Sequence, residues 1–144
     1  MGGVRGGGME QGIIVTELDR ERLLQLVDTF RAKEQHQLTG FLYRELSRAR
    51  IVPWDAVPPD VATMHSRVQY RDNLAGEVRT VTLVYPGDED RYLGRLSIVS
   101  DTAAALLGLT VGQTHAWRTR AGKSLSVTLL KVIYQPEAAG RRDL

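Results

Sequence analysis

Apolar residues recur at helical spacing in the first third of the chain, and this pattern predicts two short helices. They fall at intervals of three and four residues, which is typical of one buried helix face. Thr16 is a suitable N-cap for a first helix over about residues 17–34, and a second helix is expected over about 39–50. The polar turn between them predicts an antiparallel helical hairpin. The apolar stripe comprises Leu23, Leu26, Val27, Phe30, Phe41, Leu42, Leu46 and Ala49.

The pattern changes near Pro53, where a proline-rich segment is followed by alternating apolar and polar residues. Proline prevents a helix from continuing, so residues 53–60 are expected to form a linker. Alternation with a period of two predicts strands, and a short alanine-rich helix over 101–107, ended by Gly108, interrupts them. The predicted strands cover residues 66–72, 77–85, 96–98, 113–118 and 125–134.

These elements predict an α+β protein in which a short N-terminal antiparallel helical hairpin precedes a mostly antiparallel sheet domain with one short helix. The leader begins MGGVRGGGMEQG and lacks the apolar core of a secretory signal. No run approaches the roughly 18 apolar residues of a membrane span, so no membrane partner is expected. The expected organisation is a flexible leader over 1–15, the hairpin over 16–52, the linker over 53–60 and the sheet domain over 61–144.

Composition and charge remove several classes of function. The chain has 144 residues and no cysteine, which excludes disulfides, thiolate zinc sites, iron–sulfur clusters and a cysteine nucleophile. Its 19 Lys and Arg against 17 Asp and Glu give a net charge of +2, and both signs are spread evenly along the sequence. Binding by counterion release needs a concentrated positive surface. The sequence therefore gives no basis for direct sequence-specific nucleic-acid binding.

Short motifs that resemble catalytic or ligand sites each lack a requirement of the site. The GKS segment at 122–124 resembles the end of a phosphate-binding loop, but Trp117 stands where that loop needs glycine, and a strand follows. The acidic segment DED at 88–90 is expected to be a solvated turn. The three histidines have no metal-ligand spacing. The sequence therefore predicts no catalytic residue, no metal site and no cofactor.

The C-terminal half contains segments that resemble a known family of bacterial transcription factors. Residues 96–112 (LSIVSDTAAALLGLTVG) and 131–140 (KVIYQPEAAG) resemble the C-terminal domain of the GreA/GreB transcript-cleavage factors. The second segment is similar more specifically to the Rnk group, the regulators of nucleoside diphosphate kinase, as are TMHSRV at 63–68 and TLVYP at 82–86. The resemblance covers about residues 61–140 and, more loosely, the hairpin.

The resemblance implies a fold, a partner and a contact surface. In this family a helical hairpin precedes an FKBP-like domain, which agrees with the elements predicted above. The implied partner is the RNA polymerase core in the bacterial cytoplasm: the FKBP-like domain docks at the rim of the secondary channel, and the hairpin enters it. Gre factors have Ser-Pro in the contact loop, where this chain has Ser100-Asp101. By position in the motif, the polymerase-docking loop consists of Val99, Ser100, Asp101 and Thr102.

The expected hairpin tip consists of Lys33, Glu34, Gln35 and His36, and its charge argues against transcript cleavage. Gre factors bring acidic tip residues to the polymerase active centre, where they help to hold a second Mg²⁺ and a water. Mg²⁺ needs several oxygen ligands and gives up its waters reluctantly. The turn here has one carboxylate, Glu34, beside Arg31 and Lys33, and the hairpin is markedly shorter than the Gre hairpin.

The resemblance and the tip together predict a polymerase-binding transcription regulator that does not stimulate transcript cleavage and that competes with Gre factors for their docking site. Two alternatives stay open: a cleavage-competent Gre factor and an FKBP-type peptidyl-prolyl isomerase. An isomerase needs an apolar pocket lined by aromatic rings, and the sheet domain has few to offer. They are Tyr70, Tyr85, Tyr92, Trp117 and Tyr134.

Overall fold

The computed structural model describes residues 12–35, 37, 39–119 and 121–144. It contains three α-helices, seven strands and one short 3₁₀ turn in this part of the chain. In chain order these are β1 (Ile14–Thr16), α1 (Glu17–Ala32), α2 (Gly40–Ser47), β2 (Arg50–Val52), the 3₁₀ turn (Trp54–Ala56), β3 (Arg67–Asp72), β4 (Glu77–Val84), β5 (Arg95–Ser97), α3 (Asp101–Leu106), β6 (Thr114–Arg118) and β7 (Ser124–Tyr134).

The two helices of the hairpin form where the apolar stripe predicts them, and both are shorter than expected. α1 begins after Thr16, whose Oγ1 accepts a 3.1 Å hydrogen bond from the backbone N–H of Asp19. It ends early because Glu34 adopts a left-handed φ of 59° and the N–H of Gln35 donates to the carbonyl of Phe30. The turn between the two helices therefore begins at residue 33, whereas the apolar pattern predicts a helix through residue 34.

The main sheet has five strands in the order β5-β4-β3-β7-β6. Adjacent strands in this sheet are antiparallel, except that β4 and β5 are parallel. Two register shifts in the pairing of β3 with β7 are β-bulges, which bend a strand and increase the local twist. The sheet thereby curls around α3. The predicted α+β class and mostly antiparallel sheet are confirmed.

The N-terminal boundary differs from the prediction. A flexible leader was expected through residue 15, whereas Ile13 and Val15 are buried and residues 14–16 form β1. β1 pairs in parallel with β2, with Val15 opposite Ile51. The N–H of Ile14 also donates to the carbonyl of Gly108 at 3.0 Å. A strand of three residues is too short to show a clear alternation of apolar and polar positions. Its partner strand, β2, also lies more than 30 residues away in the sequence.

The helical hairpin belongs to the same hydrophobic core as the sheet. Leu23 and Val27 of α1 and Leu42 and Leu46 of α2 are all at most 4% exposed. They pack in one cluster with the inner face of the sheet and with α3. The hairpin is therefore folded back onto the sheet domain instead of standing apart from it. Over the described ranges, no helix is long and apolar enough to cross a membrane.

Candidate functional site

The predicted docking loop forms the N-terminus of α3. Ser100 is the N-cap: its Oγ accepts a hydrogen bond from the N–H of Ala103 at 3.2 Å, and its carbonyl accepts one from Ala104 at 3.0 Å. The loop before it is tightened by a bond from the N–H of Val99 to the hydroxyl of a neighbouring serine. Asp101 is exposed in the first turn, where the helix dipole favours a carboxylate. These hydrogen bonds hold the loop at the start of the helix, and the Asp101 side chain is exposed to solvent.

A groove of about 660 Å³ separates this loop from α2 and β6. We call it the Asp101 groove. Asp101 is the one acid among its described lining residues, and Arg44 and Arg118 are its cations. Gln37 and Gly40, from the end of the hairpin turn, also line it, so the fold brings the hairpin and the docking loop together. The remaining lining residues are Phe41, Val99, Trp117, Thr119 and Ala121.

Stacked aromatic rings form the floor of the Asp101 groove. Phe41 of α2 stacks on Trp117 of β6, with ring centroids 5.6 Å apart and an interplanar angle of 22°. His115 lies 5.7 Å from both rings, and the guanidinium of Arg44 lies 5.8 Å from the Phe41 ring. The indole N–H of Trp117 is buried and has no hydrogen-bond partner in the described part of the chain. The groove therefore combines an apolar floor with a charged rim.

The five aromatic residues considered for an isomerase pocket do not come together. Tyr70 is buried in the core, Tyr92 is 98% exposed, and Tyr134 lines a cavity elsewhere on the sheet. Tyr85 packs beside the ring of His65, 5.6 Å away. Trp117 alone of the five lines the Asp101 groove, and its partner Phe41 comes from the hairpin. This arrangement does not provide the aromatic lining that prolyl isomerisation requires.

Buried Glu45 and half-buried His115 lie behind the groove, next to a second cavity of about 460 Å³. The carboxylate of Glu45 lies 3.8 Å from His115 Nε2 and 3.4 Å from the guanidinium of Arg48. The other ring nitrogen of His115 lies 3.2 Å from the carbonyl of Ala105. His115 therefore joins α2, α3 and β6. The contacts of Glu45 and His115 in the described part of the chain link elements of the fold, which is a packing role.

The hairpin tip presents little negative charge. Lys33, Glu34 and Gln35 are exposed, and His36 lies outside the described residues. Within the described ranges, no group of three or more His, Cys, Asp or Glu is arranged to hold a metal ion. The three described tip residues also do not line the Asp101 groove. The structure thus brings the end of the hairpin turn to the docking loop, but not the predicted tip residues.

The GKS and DED segments both lie in turns, as expected for DED. In the GKS segment, Gly122 has φ 85° and the N–H of Lys123 donates to the hydroxyl of Thr119, which closes the β6–β7 hairpin. In the DED segment, the Asp90 carboxylate accepts hydrogen bonds from the N–H groups of Tyr92 and Leu93. Both segments therefore have structural explanations for their residue types.

Sequence reasoning missed a buried acid at the base of α1. Asp19 is 4% exposed, and its Oδ2 accepts a 3.1 Å hydrogen bond from the N–H of Met64. Burial raises the pKa of Asp19 to about 7. Burial and the nearby Asp19 carboxylate also raise the pKa of the Tyr85 hydroxyl, and Arg22 opposes that shift. The sequence shows only an acid in a first helical turn, where acids are common, so it gave no sign of this burial.

Comparison with known proteins identifies the family. Residues 57–134 match the family model of the GreA/GreB transcription elongation factor C-terminal domain, and residues 12–52 match that of the Rnk N-terminus. The chain is 40% identical over 128 residues to the regulator of nucleoside diphosphate kinase of Escherichia coli K12, covering 89% of this chain and 93% of that protein. The protein of the same name from Shigella flexneri matches with the same identity and coverage.

A solved structure agrees with these matches. The prokaryotic transcription elongation factor GreA/GreB from Nitrosomonas europaea superposes with a TM-score of 0.65 at 37% identity. The alignment covers 85% of this chain and 99% of that one. The relatives are named as regulators and transcription factors, not as enzymes in their own right. The chain therefore belongs to the Rnk and GreA/GreB family of bacterial transcription factors.

Proposed function

We propose that this protein binds the RNA polymerase core through the Asp101 groove, at the rim of the secondary channel, without stimulating transcript cleavage. It competes there with Gre factors, which use the equivalent loop of the same domain. The observation that carries the proposal is the folded-back hairpin, because a cleavage factor needs a long finger that reaches the active centre. We expect this protein and the Gre factors to act in the same compartment, the bacterial cytoplasm.

The packing of the hairpin opposes its extension into a finger. α1 has 16 residues and is about 24 Å long, at 1.5 Å per residue. Swinging the hairpin out would expose Leu42 and Leu46, together with their partners on α1, at roughly 2 kcal/mol for each side chain. That total approaches the whole stability of a small domain. The hairpin therefore stays packed, with Glu34 as the one carboxylate of its described tip.

The composition of the Asp101 groove suits a protein partner. Protein interfaces combine a buried aromatic centre with a polar rim, and Trp and Arg are enriched among the residues that contribute most to affinity. Here Phe41 and Trp117 form the floor, and Arg44, Asp101 and Arg118 lie at the edge. A partner that brings an apolar side chain to the floor and a cation to Asp101 complements the groove.

The first test reverses the charge of Asp101. We expect Asp101→Arg to lower retention of RNA polymerase core in a pull-down at least about tenfold, since like charges at an interface repel and each 1.4 kcal/mol is a factor of ten. The matched control is Glu17→Arg, an exposed acid in the first turn of α1 that carries the same dipole penalty. Equal retention of both variants would place the contact away from the groove.

The second test measures cleavage in stalled elongation complexes. The protein alone is expected to leave transcript length unchanged, because one carboxylate on a packed hairpin cannot supply the ligands of a second Mg²⁺. Added to Gre-treated complexes, it should suppress Gre-stimulated shortening as its concentration rises, and Asp101→Arg should not. RNA shortening by the protein alone would instead establish a cleavage factor.

A further inference from the structure

Four basic side chains lie on the solvent side of the main sheet. We call these residues, Arg67, Arg71, Arg95 and Lys131, the basic face. Cross-strand partners point to the same side of a sheet, as do residues two apart on one strand. Thr82 is opposite both Arg67 and Arg95, so these two arginines share a side.

The other two cations follow from the same register. Lys131 is opposite Gln69, which lies between Arg67 and Arg71 on β3. Arg67, Gln69 and Arg71 alternate with the buried Val68 and Tyr70, so they face away from the core. Arg67 and Arg71 are about 13 Å apart along the strand, and Arg95 is about 10 Å from Arg67 across two strands. The four charges thus form one patch across β5, β3 and β7.

No acid neutralises the basic face from within the sheet. The acidic strand residues, Asp72 and Glu77, are opposite one another on the core-facing side, beyond the end of the core. Two acids approach the β5 end of the face from outside the named strands: Asp90 is opposite Arg95 in an isolated bridge, and Asp88 lines a cavity of about 460 Å³ with Arg67 and Arg95. All four cations are exposed, and none takes part in an ion pair within the described residues. The acids therefore lie at one end of the basic face, whereas the strands place no acid opposite Arg71 or Lys131.

Several other residues of this side suit a phosphate backbone, whereas Val78, opposite Arg71, is an exposed apolar side chain. Hydroxyl groups of Thr80, Thr82 and Thr128 lie among the cations, opposite Gln69, Arg67 and Arg71 respectively. Hydroxyls, arginines and lysines are the usual partners of phosphate and sugar oxygens. Tyr134 is the one aromatic ring that the described strands place on this side, so the face lacks the stacking platforms that read bases.

We propose that the basic face binds single-stranded nucleic acid through its phosphates, without sequence preference. The core and α3 lie on the inner side, so the curled sheet turns a convex face to solvent. A double helix is stiff and has a convex surface of its own, so it would contact few of these four charges at once. A flexible single strand can bend along the sheet and contact all of them. The inner-side Asp101 groove leaves this surface open. Arg118, at the edge strand, lines that groove and is not counted in the patch.

The test is fluorescence anisotropy with labelled 15-nucleotide oligouridine and oligothymidine, without polymerase, across a range of salt concentrations. Four phosphate contacts predict that log K falls with log salt at a slope of about −2.8, at about 0.7 for each contact on a single strand. The variant Arg67→Gln/Arg71→Gln/Lys131→Gln should lower the slope to about −0.7. At 0.1 M salt the same relation predicts a loss of affinity of about 100-fold.

The matched control removes three exposed arginines elsewhere: Arg20→Gln/Arg31→Gln/Arg50→Gln. This control variant changes the net charge by the same amount as the basic-face variant, and its affinity for the oligonucleotides should fall less than about threefold. The proposal is overturned if the protein binds neither oligonucleotide at low salt, if the control loses as much as the basic-face variant, or if polyglutamate of equal length binds as tightly. Polymerase is absent from this assay, so its result is independent of the pull-down. Melting curves verify that both variants fold.

Discussion

Replacing Gly108 by alanine is expected to lower the free energy of unfolding by about 3 kcal/mol. Gly108 has φ 83°, a left-handed conformation that costs other residues about 1–2 kcal/mol. An added Cβ would also lie 2.6 Å from Ile13 Cβ and 3.1 Å from the carbonyl oxygen of Ile14. These neighbours cannot withdraw without disturbing the hydrogen bond from Ile14 N–H to Gly108, and such overpacking costs about 1–3 kcal/mol.

Urea unfolding followed by circular dichroism measures this effect, with Gly112→Ala as the control. Gly112 also has a left-handed φ, 96°, but a Cβ there meets nothing within 4 Å. That variant should lose only the backbone contribution of about 1 kcal/mol. If both variants lost equal stability, the close approach of β1 to Gly108 would not be the cause.

The Gly108 prediction explains one position of the segment that carries the family resemblance. Gly108 lies just after α3 and terminates that helix. Its N–H donates a hydrogen bond to the carbonyl of Ala62 at 2.7 Å, and its carbonyl accepts one from the N–H of Ile14 in β1. One residue without a side chain thus joins three parts of the fold. From the sequence, Gly108 is predicted as a helix terminator, which is correct. The sequence did not reveal that a strand from the predicted leader packs on it.

The sequence predicted correctly those elements whose apolar residues form a periodic pattern over one continuous segment of sufficient length. The alternation in β3, β4 and β7 and the apolar stripe of α1 each extend over six or more residues, and all four elements are found. β1 and β2 have three residues each and depend on each other across the hairpin. A pairing between distant short segments leaves no periodic trace, so the N-terminal boundary was wrong.

The position in the fold of the proposed docking loop was predictable, and the composition of the groove beside it was not. The resemblance placed Ser100 and Asp101 where the short helix begins, and α3 does begin at Asp101 with Ser100 as its N-cap. The stacking of Phe41 on Trp117 was not predictable, because it depends on how the hairpin packs against the sheet edge. The basic face likewise arises from strand register, which adds charges that are far apart in the sequence.

The free energy of unfolding is expected to fall by roughly 4 kcal/mol as the pH rises from about 4 to about 7, because of Asp19. Its folded pKa of about 7 lies above the ordinary value of 3.8, since burial disfavours the carboxylate. Between these two values the folded state holds a proton that the unfolded state has released. Raising the pH therefore favours unfolding across that window, at 1.36 kcal/mol for each unit of pKa difference.

Asp19→Asn isolates this contribution in urea titrations at several pH values. The amide oxygen of asparagine can still accept the hydrogen bond from Met64, but the side chain never ionises. The variant should lose the decline between pH 4 and 7 and exceed the wild type in stability at pH 8. Glu17→Gln removes an exposed acid from the same helical turn and should keep the wild-type decline. Parallel curves for wild type and Asp19→Asn would mean that water reaches Asp19 in the folded state.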